Sequence, residues 1–273
     1  MTTASRLMTP QVLPTITGPG PVMRNRAILS PMCQYSVDAR DGIPRNWHLV
    51  HLGARAAGGF GLVMAEATAV AAEGRISDRD TGLWNDAQRD AWTPIVQFIQ
   101  NEGALAGIQI GHAGGKASTH AWHEEEADTG LVGSIPRDQG GWQTLGPSDT
   151  DALGLAPPRA MSLEQIDASI RSWARATRRA SEAGFDVLQI HGAHGYLIHQ
   201  FLSPLTNKRS DHYGGSFENR TRYAMEVIRA IRKEWPEDKP LGIRLSGEDW
   251  NGDAGWQLAD TVRFARDAYR LGV

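Results

Sequence analysis

The chain has 273 residues, of which 41% are hydrophobic and 22% charged, which is the composition of a folded globular protein. Its formal net charge of −3 provides no overall basic surface, so neither nucleic acid nor anionic lipid is an expected partner. No long apolar run or signal-peptide pattern is present, so we expect a cytoplasmic protein that makes no membrane contact. The single cysteine, Cys33, excludes an internal disulfide and any multi-cysteine metal site.

Strands and helices alternate along the chain after a loose start rich in Pro, Thr and Gly. Apolar runs predict five strands, at residues 27–31, 61–70, 107–110, 185–190 and 241–245. Helical spacing predicts helices between and after them, at residues 48–57, 86–101, 162–183, 216–235 and 257–270. The last residues, 271–273, are predicted to lead into a sixth strand.

Capping residues set the starts of three of these helices. Asp86 is the predicted N-cap of the second helix, and Ser216 is that of the fourth. Ser162 and Gln165 have the spacing of a capping box. By contrast, residues 113–160 show no sustained periodicity and carry many Gly, Pro, Asp and Ser, so we interpret them as a long excursion that caps a site.

Apolar strands that alternate with helices predict a parallel sheet covered by helices. A TIM (β/α)8 barrel and a doubly wound sheet both fit this pattern. No Gly-x-Gly-x-x-Gly joins a strand to a helix, and polar residues cluster after strand carboxyl ends, so the barrel is favoured. The expected architecture is one domain over residues 1–273, with about five strands plus the start of a sixth. Because a closed barrel needs eight, we expect this domain to be truncated at its carboxyl-terminal side.

The polar groups at these strand ends should face one mouth of the barrel. They are Cys33 and Tyr35 after the first strand, Gln109 and His112 at the third, His191, His194 and Tyr196 at the fourth, and Arg244 at the fifth. A purely structural core does not favour such a set, because burying each polar group costs free energy unless it finds a hydrogen-bond partner. Their convergence predicts a functional site.

Four ordered motifs resemble the Old Yellow Enzyme family. They are Ser-Pro-Met-Cys-Gln-Tyr at 30–35, Gly-Ile-Gln-Ile-Gly-His-Ala-Gly-Gly-Lys at 107–116, and the segments 191–204 and 207–220. The resemblance runs from about Asn25 to the final residue. Cys33 together with the paired histidines is similar to the thermophilic-like branch of the family, which includes xenobiotic reductases.

The resemblance implies an FMN-dependent ene-reductase. FMN would be held non-covalently, reduced by NADPH or NADH, and reoxidised by a small activated alkene such as an enone, maleimide or nitroalkene. The matching residues are His191 and His194 as donors to the substrate's activating oxygen, Tyr196 as proton donor, and Tyr35 as a phenol that reaches towards that oxygen. For full-length members the resemblance also implies a homo-oligomer.

The resemblance further implies which residues contact the flavin. Those residues are Ser30, Pro31, Met32, Cys33, Ala67, Gln109 and Arg244. Arg244 and Gln109 match side chains that bond the pyrimidine end of the ring, where a guanidinium stabilises negative charge. A structural alternative for Arg244 is an ion pair with Glu248 or Asp249. The sequence assigns no residue to the flavin phosphate.

Two other functions compete with the ene-reductase. A metal-dependent barrel hydrolase would also place histidines at strand ends, but no carboxylate-rich ligand set surrounds His191 and His194. Alternatively, the chain could be an inactive partial barrel that folds only with a complementing chain, since an open barrel leaves a strand edge unpaired.

Overall fold

The computed structural model describes residues 5–121, 133–150 and 154–273 of the chain. Its strands, in chain order, are β1 (Gln11–Thr15), β2 (Gly18–Met23), β3 (Ile28–Leu29), β4 (Leu62–Ala69), β5 (Leu105–Gly111), β6 (Leu145–Gly146), β7 (Arg159–Ala160), β8 (Val187–Gly192) and β9 (Leu241–Leu245). Its longer helices are α1 (Asn46–Ala57), α2 (Asp86–Asn101), α3 (Leu163–Glu182), α4 (Leu197–Leu202), α5 (Phe217–Glu234) and α6 (Leu258–Tyr269).

The central sheet confirms the predicted alternation of strands and helices. It contains β3, β4, β5, β8 and β9 in that order, and every neighbouring pair is parallel. Because the five strands lie in the sheet in the same order as along the chain, the strand order does not reverse as it does in a doubly wound fold. The sheet is therefore the arc of a TIM-type barrel.

The amino-terminal segment differs from the predicted loose start. Strands β1 and β2 form an antiparallel hairpin that turns at Ile16 and Thr17. Pro14, Pro19 and Pro21 lie within it and lack the N–H group that a central strand requires. A two-stranded hairpin has a free edge on each strand, so it accepts these prolines where a larger sheet would not.

Helix α4 was not predicted. All six of its residues are buried, between the carboxyl end of β8 and α5. A helix with no solvent-facing side shows no alternation of polar and apolar residues, so its period cannot be found in the sequence. The five predicted helices are all present, with no end shifted by more than two residues.

The cap of α2 corrects one prediction. Asn85, not Asp86, is the N-cap: its side chain accepts a hydrogen bond from the Gln88 backbone at 3.0 Å, and Asp86 is the first helical residue. In a second hydrogen bond, the Gln88 side chain accepts from the Asn85 N–H at 3.2 Å. This reciprocal pair identifies the start of the helix. The predicted caps Ser162 and Ser216 are both confirmed.

Residues 271–273 form no strand in the structure. The N–H groups of Leu271 and Gly272 instead bond the carbonyls of Ala268 and Tyr269, and Gly272 has a left-handed backbone with φ +88°. These bonds close the carboxyl end of α6. None of the helices in the described ranges combines the length and apolar character needed to cross a membrane.

A buried hydrogen-bonded triad joins α3 to α5 beneath the sheet. The Tyr223 hydroxyl lies 2.7 Å from the Ser169 hydroxyl and accepts a bond from the Trp173 indole N–H at 3.1 Å. Tyr223 and Trp173 are fully buried. The triad therefore satisfies polar groups that have no access to water.

We expect Tyr223→Phe to lower the free energy of unfolding by about 1–3 kcal/mol, because the Trp173 N–H would remain buried without its acceptor. Its ring packing on Phe201, with centroids 4.3 Å apart, should be retained. Urea denaturation measures this difference. The matched control is Tyr269→Phe, at a side chain that is 76% exposed, and an equal loss in both variants would contradict the prediction.

Candidate active site

Three aromatic side chains meet where β8 ends. The rings of His191 and His194 have centroids 5.0 Å apart and are nearly perpendicular, and the Tyr196 ring lies 4.8 Å from His191 and 6.4 Å from His194. His191 belongs to β8, His194 to the turn that follows, and Tyr196 is the residue before α4. The strand end and the short helix thus bring together the three residues predicted from the motif.

His191 is held as a neutral imidazole. Burial, together with the positive charge on His194 and Arg244, lowers its pKa to about 3. Its Nδ1 accepts a hydrogen bond from the Ala193 N–H at 3.4 Å, so the ring proton resides on Nε2. His191 therefore offers one N–H donor without a positive charge. Burial also lowers the pKa of His194.

The low pKa of His191 predicts a pH-dependent loss of stability. Its ordinary pKa is 6.5, so the unfolded chain binds a proton more readily than the folded protein below that value. The free energy of unfolding should therefore fall as the pH drops from about 6.5 towards 3, by about 1.4 kcal/mol per pH unit for this group. Ring resonances of His191 followed by NMR should show no protonation above about pH 4; protonation near pH 6 would contradict the assignment.

The Tyr196 ring is covered by Lys116, which lies in the loop that follows β5. Burial raises the pKa of its phenol, as do the nearby Cys33 and Asp80, so the hydroxyl keeps its proton. Lys116 Nζ is 5.0 Å from the centre of the Tyr196 ring and donates to the His194 carbonyl at 2.9 Å. Lys116 therefore supports the turn that carries His194.

Cys33, Tyr35 and Ala67 form the neighbouring wall. Tyr35 and Cys33 pack with Tyr196 against a small apolar cluster that includes Ala67. The Cys33 thiol forms hydrogen bonds with the Tyr35 hydroxyl and the Ala67 backbone, and burial raises its pKa. A protonated thiol is a poor nucleophile.

Gln109 lies on β5, an inner strand of the sheet, and Arg244 lies on β9, the last strand in the sheet order. Gln109 Nε2 donates to Gln189 Oε1 at 2.7 Å, and the backbone of Arg244 is in register with His191. The alternative ion pair of Arg244 with Asp249 is absent, since Asp249 contacts His199 instead. Among the described residues, the Arg244 side chain makes no hydrogen bond or ion pair.

Ser30, Pro31 and Met32 lie in the loop that follows β3. Ser30 and Met32 are exposed, Met32 by 48%, and Pro31 is half-buried. The loop also contains Cys33 and Tyr35, so it runs along the same edge as the aromatic group.

Several residues of this site were not predicted. Gln189 lies two positions before His191 on β8, and the two-residue period of a strand is the signal that places both on one face. Trp142 comes from the excursion and packs against the same apolar cluster as Tyr35 and Tyr196. A small cavity beside Tyr196 is also lined by Asp80 and His112, neither of which was assigned a specific role from the sequence.

The edge is therefore a polar, donor-rich site on a parallel β/α barrel. Residues 16–270 match the profile of the NADH:flavin oxidoreductase / NADH oxidase family. The chain is 42% identical over 269 residues to the NADPH dehydrogenase of Bacillus cytotoxicus, covering 98% of this chain and 70% of that protein. It thus belongs to the NADH:flavin oxidoreductase family, of which the Old Yellow Enzyme is a member.

Solved structures agree with this assignment. Morphinone reductase in complex with tetrahydroNAD superposes with a TM-score of 0.79 at 27% identity, covering 97% of this chain and 71% of that one. An Old Yellow Enzyme homologue from Zymomonas mobilis gives a TM-score of 0.76 at 28% identity, covering 97% and 69%. The chain is accordingly an NAD(P)H-dependent flavin oxidoreductase with FMN as its cofactor.

The residues at the edge fit a flavin. Arg244 brings a guanidinium with no partner among the described residues, and Gln109 and Gln189 bring amide groups to neighbouring strands. These are the donors that a heterocycle with carbonyl oxygens and a negatively charged reduced form requires. No group of three or more His, Cys, Asp or Glu within the described ranges is arranged to hold a metal ion.

Proposed function

We propose that the protein reduces the carbon–carbon double bond of small alkenes activated by a carbonyl or nitro group. The observation that carries this proposal is the contact of two imidazoles with one phenol at the end of β8. When bound, FMN supplies the hydride, which it has received from NADPH or NADH. The chain's own residues must then bind the activating oxygen and deliver a proton.

His191 and His194 are the proposed oxygen-binding residues. A neutral imidazole with its proton on Nε2 donates a hydrogen bond and does not give up its proton easily. Two such donors stabilise the negative charge that develops on the substrate oxygen, as the donors of an oxyanion hole do. Burial strengthens the effect, because His191 is only 4% exposed and little water competes for the oxygen.

Tyr196 is the proposed proton donor. Its raised pKa keeps the phenol protonated at neutral pH, and its ring lies against His191, so oxygen binding and proton delivery occur side by side. Tyr35 and Cys33 pack against the same apolar cluster as Tyr196. We propose that Tyr35 contacts the substrate and that Cys33 contacts the flavin with Ser30, Pro31, Met32, Ala67, Gln109 and Arg244.

The excursion is proposed to cap the mouth. Trp142 supports this role, because it packs beside Tyr35 and Tyr196 and its indole N–H donates to the Glu73 carbonyl at 2.8 Å. Arg75 lies 4.9 Å from the Trp142 ring and 5.5 Å from that of Trp84, which joins this part of the excursion to the loop after β4. Residues 122–132 and 151–153 of the predicted excursion lie outside the described residues.

Anaerobic spectroscopy tests the proposed function. The chain loaded with FMN should lose its flavin absorbance with NADPH and regain it when a cyclic enone, a maleimide or a nitroalkene is added. The saturated product should be found by mass spectrometry. Loss of absorbance without recovery by any of these alkenes would contradict alkene reduction while leaving the oxidoreductase assignment intact. Failure to bind FMN, followed by fluorescence quenching, would instead favour an inactive partial barrel.

A further inference from the structure

A buried histidine and aspartate lie behind the proposed oxygen-binding site and have no part in the proposed chemistry. His199 belongs to α4, and Asp249 follows β9. His199 Nε2 lies 2.9 Å from Asp249 Oδ1, and both side chains are more than nine-tenths buried. The pair therefore links two segments that are fifty residues apart in the chain.

Asp249 is fixed by further donors. Its Oδ2 accepts from the Ser203 hydroxyl at 2.6 Å and from the Trp256 N–H at 2.7 Å. Burial alone would raise the pKa of Asp249, but the hydrogen bonds from His199, Ser203 and Trp256 lower it overall. An ionised carboxylate in this position holds the Nε2 proton of His199 on its own side of the ring.

The other nitrogen of His199 faces the active-site turn. Its Nδ1 accepts a hydrogen bond from the Gly195 N–H at 2.8 Å and lies 3.3 Å from the Ser246 hydroxyl. Ser246 in turn accepts from the His194 N–H at 3.0 Å. Two successive backbone N–H groups of the turn are therefore held by side chains from α4 and from the loop after β9.

This turn has a conformation that needs such support. His194 has φ +61° and Gly195 has φ +70°, so two consecutive residues are left-handed. For a residue with a side chain this conformation is unfavourable, and it persists only where neighbouring groups hold it. Without its partners, the turn would relax and the His194 ring would leave its place beside His191.

We propose that His199, oriented by Asp249, is a positioning residue that locks the left-handed turn and thereby places His194 for binding the substrate oxygen. The inference rests on the proposed function for the role of His194. The locking itself is a property of the folded chain and can be measured without turnover.

The test measures hydrogen exchange of backbone amides in the FMN-loaded protein. We expect His199→Leu to raise the exchange rate of the Gly195 amide by about tenfold or more, because the acceptor is lost. His199→Gln retains an acceptor and should restore much of the protection. Ser246→Ala, which removes the partner of the His194 amide, should raise exchange at His194 more than at Gly195.

Binding of p-hydroxybenzaldehyde to the oxidised holoenzyme gives a second readout. Under the proposed function, His191 and His194 would bind the oxygen of this phenol. We expect His199→Leu to weaken it by about tenfold and His199→Gln to weaken it less. Unchanged exchange at Gly195 in His199→Leu would overturn the locking role. Increased exchange with unchanged phenol binding would overturn the link to His194. If the wild-type protein reduces no alkene, the proposed function fails, but the exchange experiment still decides the locking role.

Discussion

Replacing Tyr196 with phenylalanine should slow alkene reduction by about 10²- to 10⁴-fold, which is the usual contribution of a positioned general acid. The variant keeps the ring that packs against His191 and Lys116 but loses the proton of the phenol. Reduction of the flavin by NADPH requires no proton from Tyr196, so its rate should be unchanged. Stopped-flow spectroscopy separates the two half-reactions within one experiment.

Tyr269→Phe is the matched control, because it removes a phenolic hydroxyl from an exposed side chain. It should leave both half-reactions unchanged. Equal rates of alkene reduction by the wild type and Tyr196→Phe would show that the proton comes from elsewhere. A parallel loss of both half-reactions would point to damaged flavin binding and not to a missing proton.

Replacing His191 with leucine should lower the rate of alkene reduction by about 10²- to 10³-fold, since one donor of an oxyanion hole commonly contributes this much. Leucine fills a similar volume and removes the Nε2 proton. Because NADPH could contact the same residues, the flavin should be reduced with dithionite before the alkene is added. The rate of reoxidation then reports on the alkene alone.

Two further variants make this experiment specific. His194→Asn retains an N–H donor in the second oxygen-binding position and should lose less activity than His191→Leu. His212→Asn changes an exposed histidine whose ring packs at a tilt against Tyr213, outside the site, and should behave as the wild type. If His191→Leu reoxidises as quickly as His212→Asn, the oxygen-binding role of His191 is wrong.

The order of the strands and the contact of His191 with Tyr196 were predictable because both depend on local patterns. A buried parallel strand is apolar throughout, and the carboxyl ends of such strands meet at one edge. Residues six or fewer positions apart at one strand end must therefore be close in space. Placing His191, His194 and Tyr196 required no knowledge of distant contacts.

The features that were missed depend on long-range packing. Helix α4 shows no periodicity because every side of it is buried. The hairpin of β1 and β2 is hard to predict because its prolines argue against a strand, and only an edge strand tolerates them. Likewise, nothing near His199 in the sequence indicates Asp249, since the two meet only after β8 and β9 pair.

The hairpin also affects how molecules reach the site. Met23 and Leu13 pack on Leu62, Leu105 and Val187, which lie at or near the amino ends of three barrel strands. This contact covers the amino-terminal end of the sheet with apolar side chains. Molecules would therefore reach the site from the polar edge at the carboxyl ends of the strands. Under the proposed function, the reductant and the alkene would both enter from this edge. They would therefore occupy the same site in turn during each catalytic cycle.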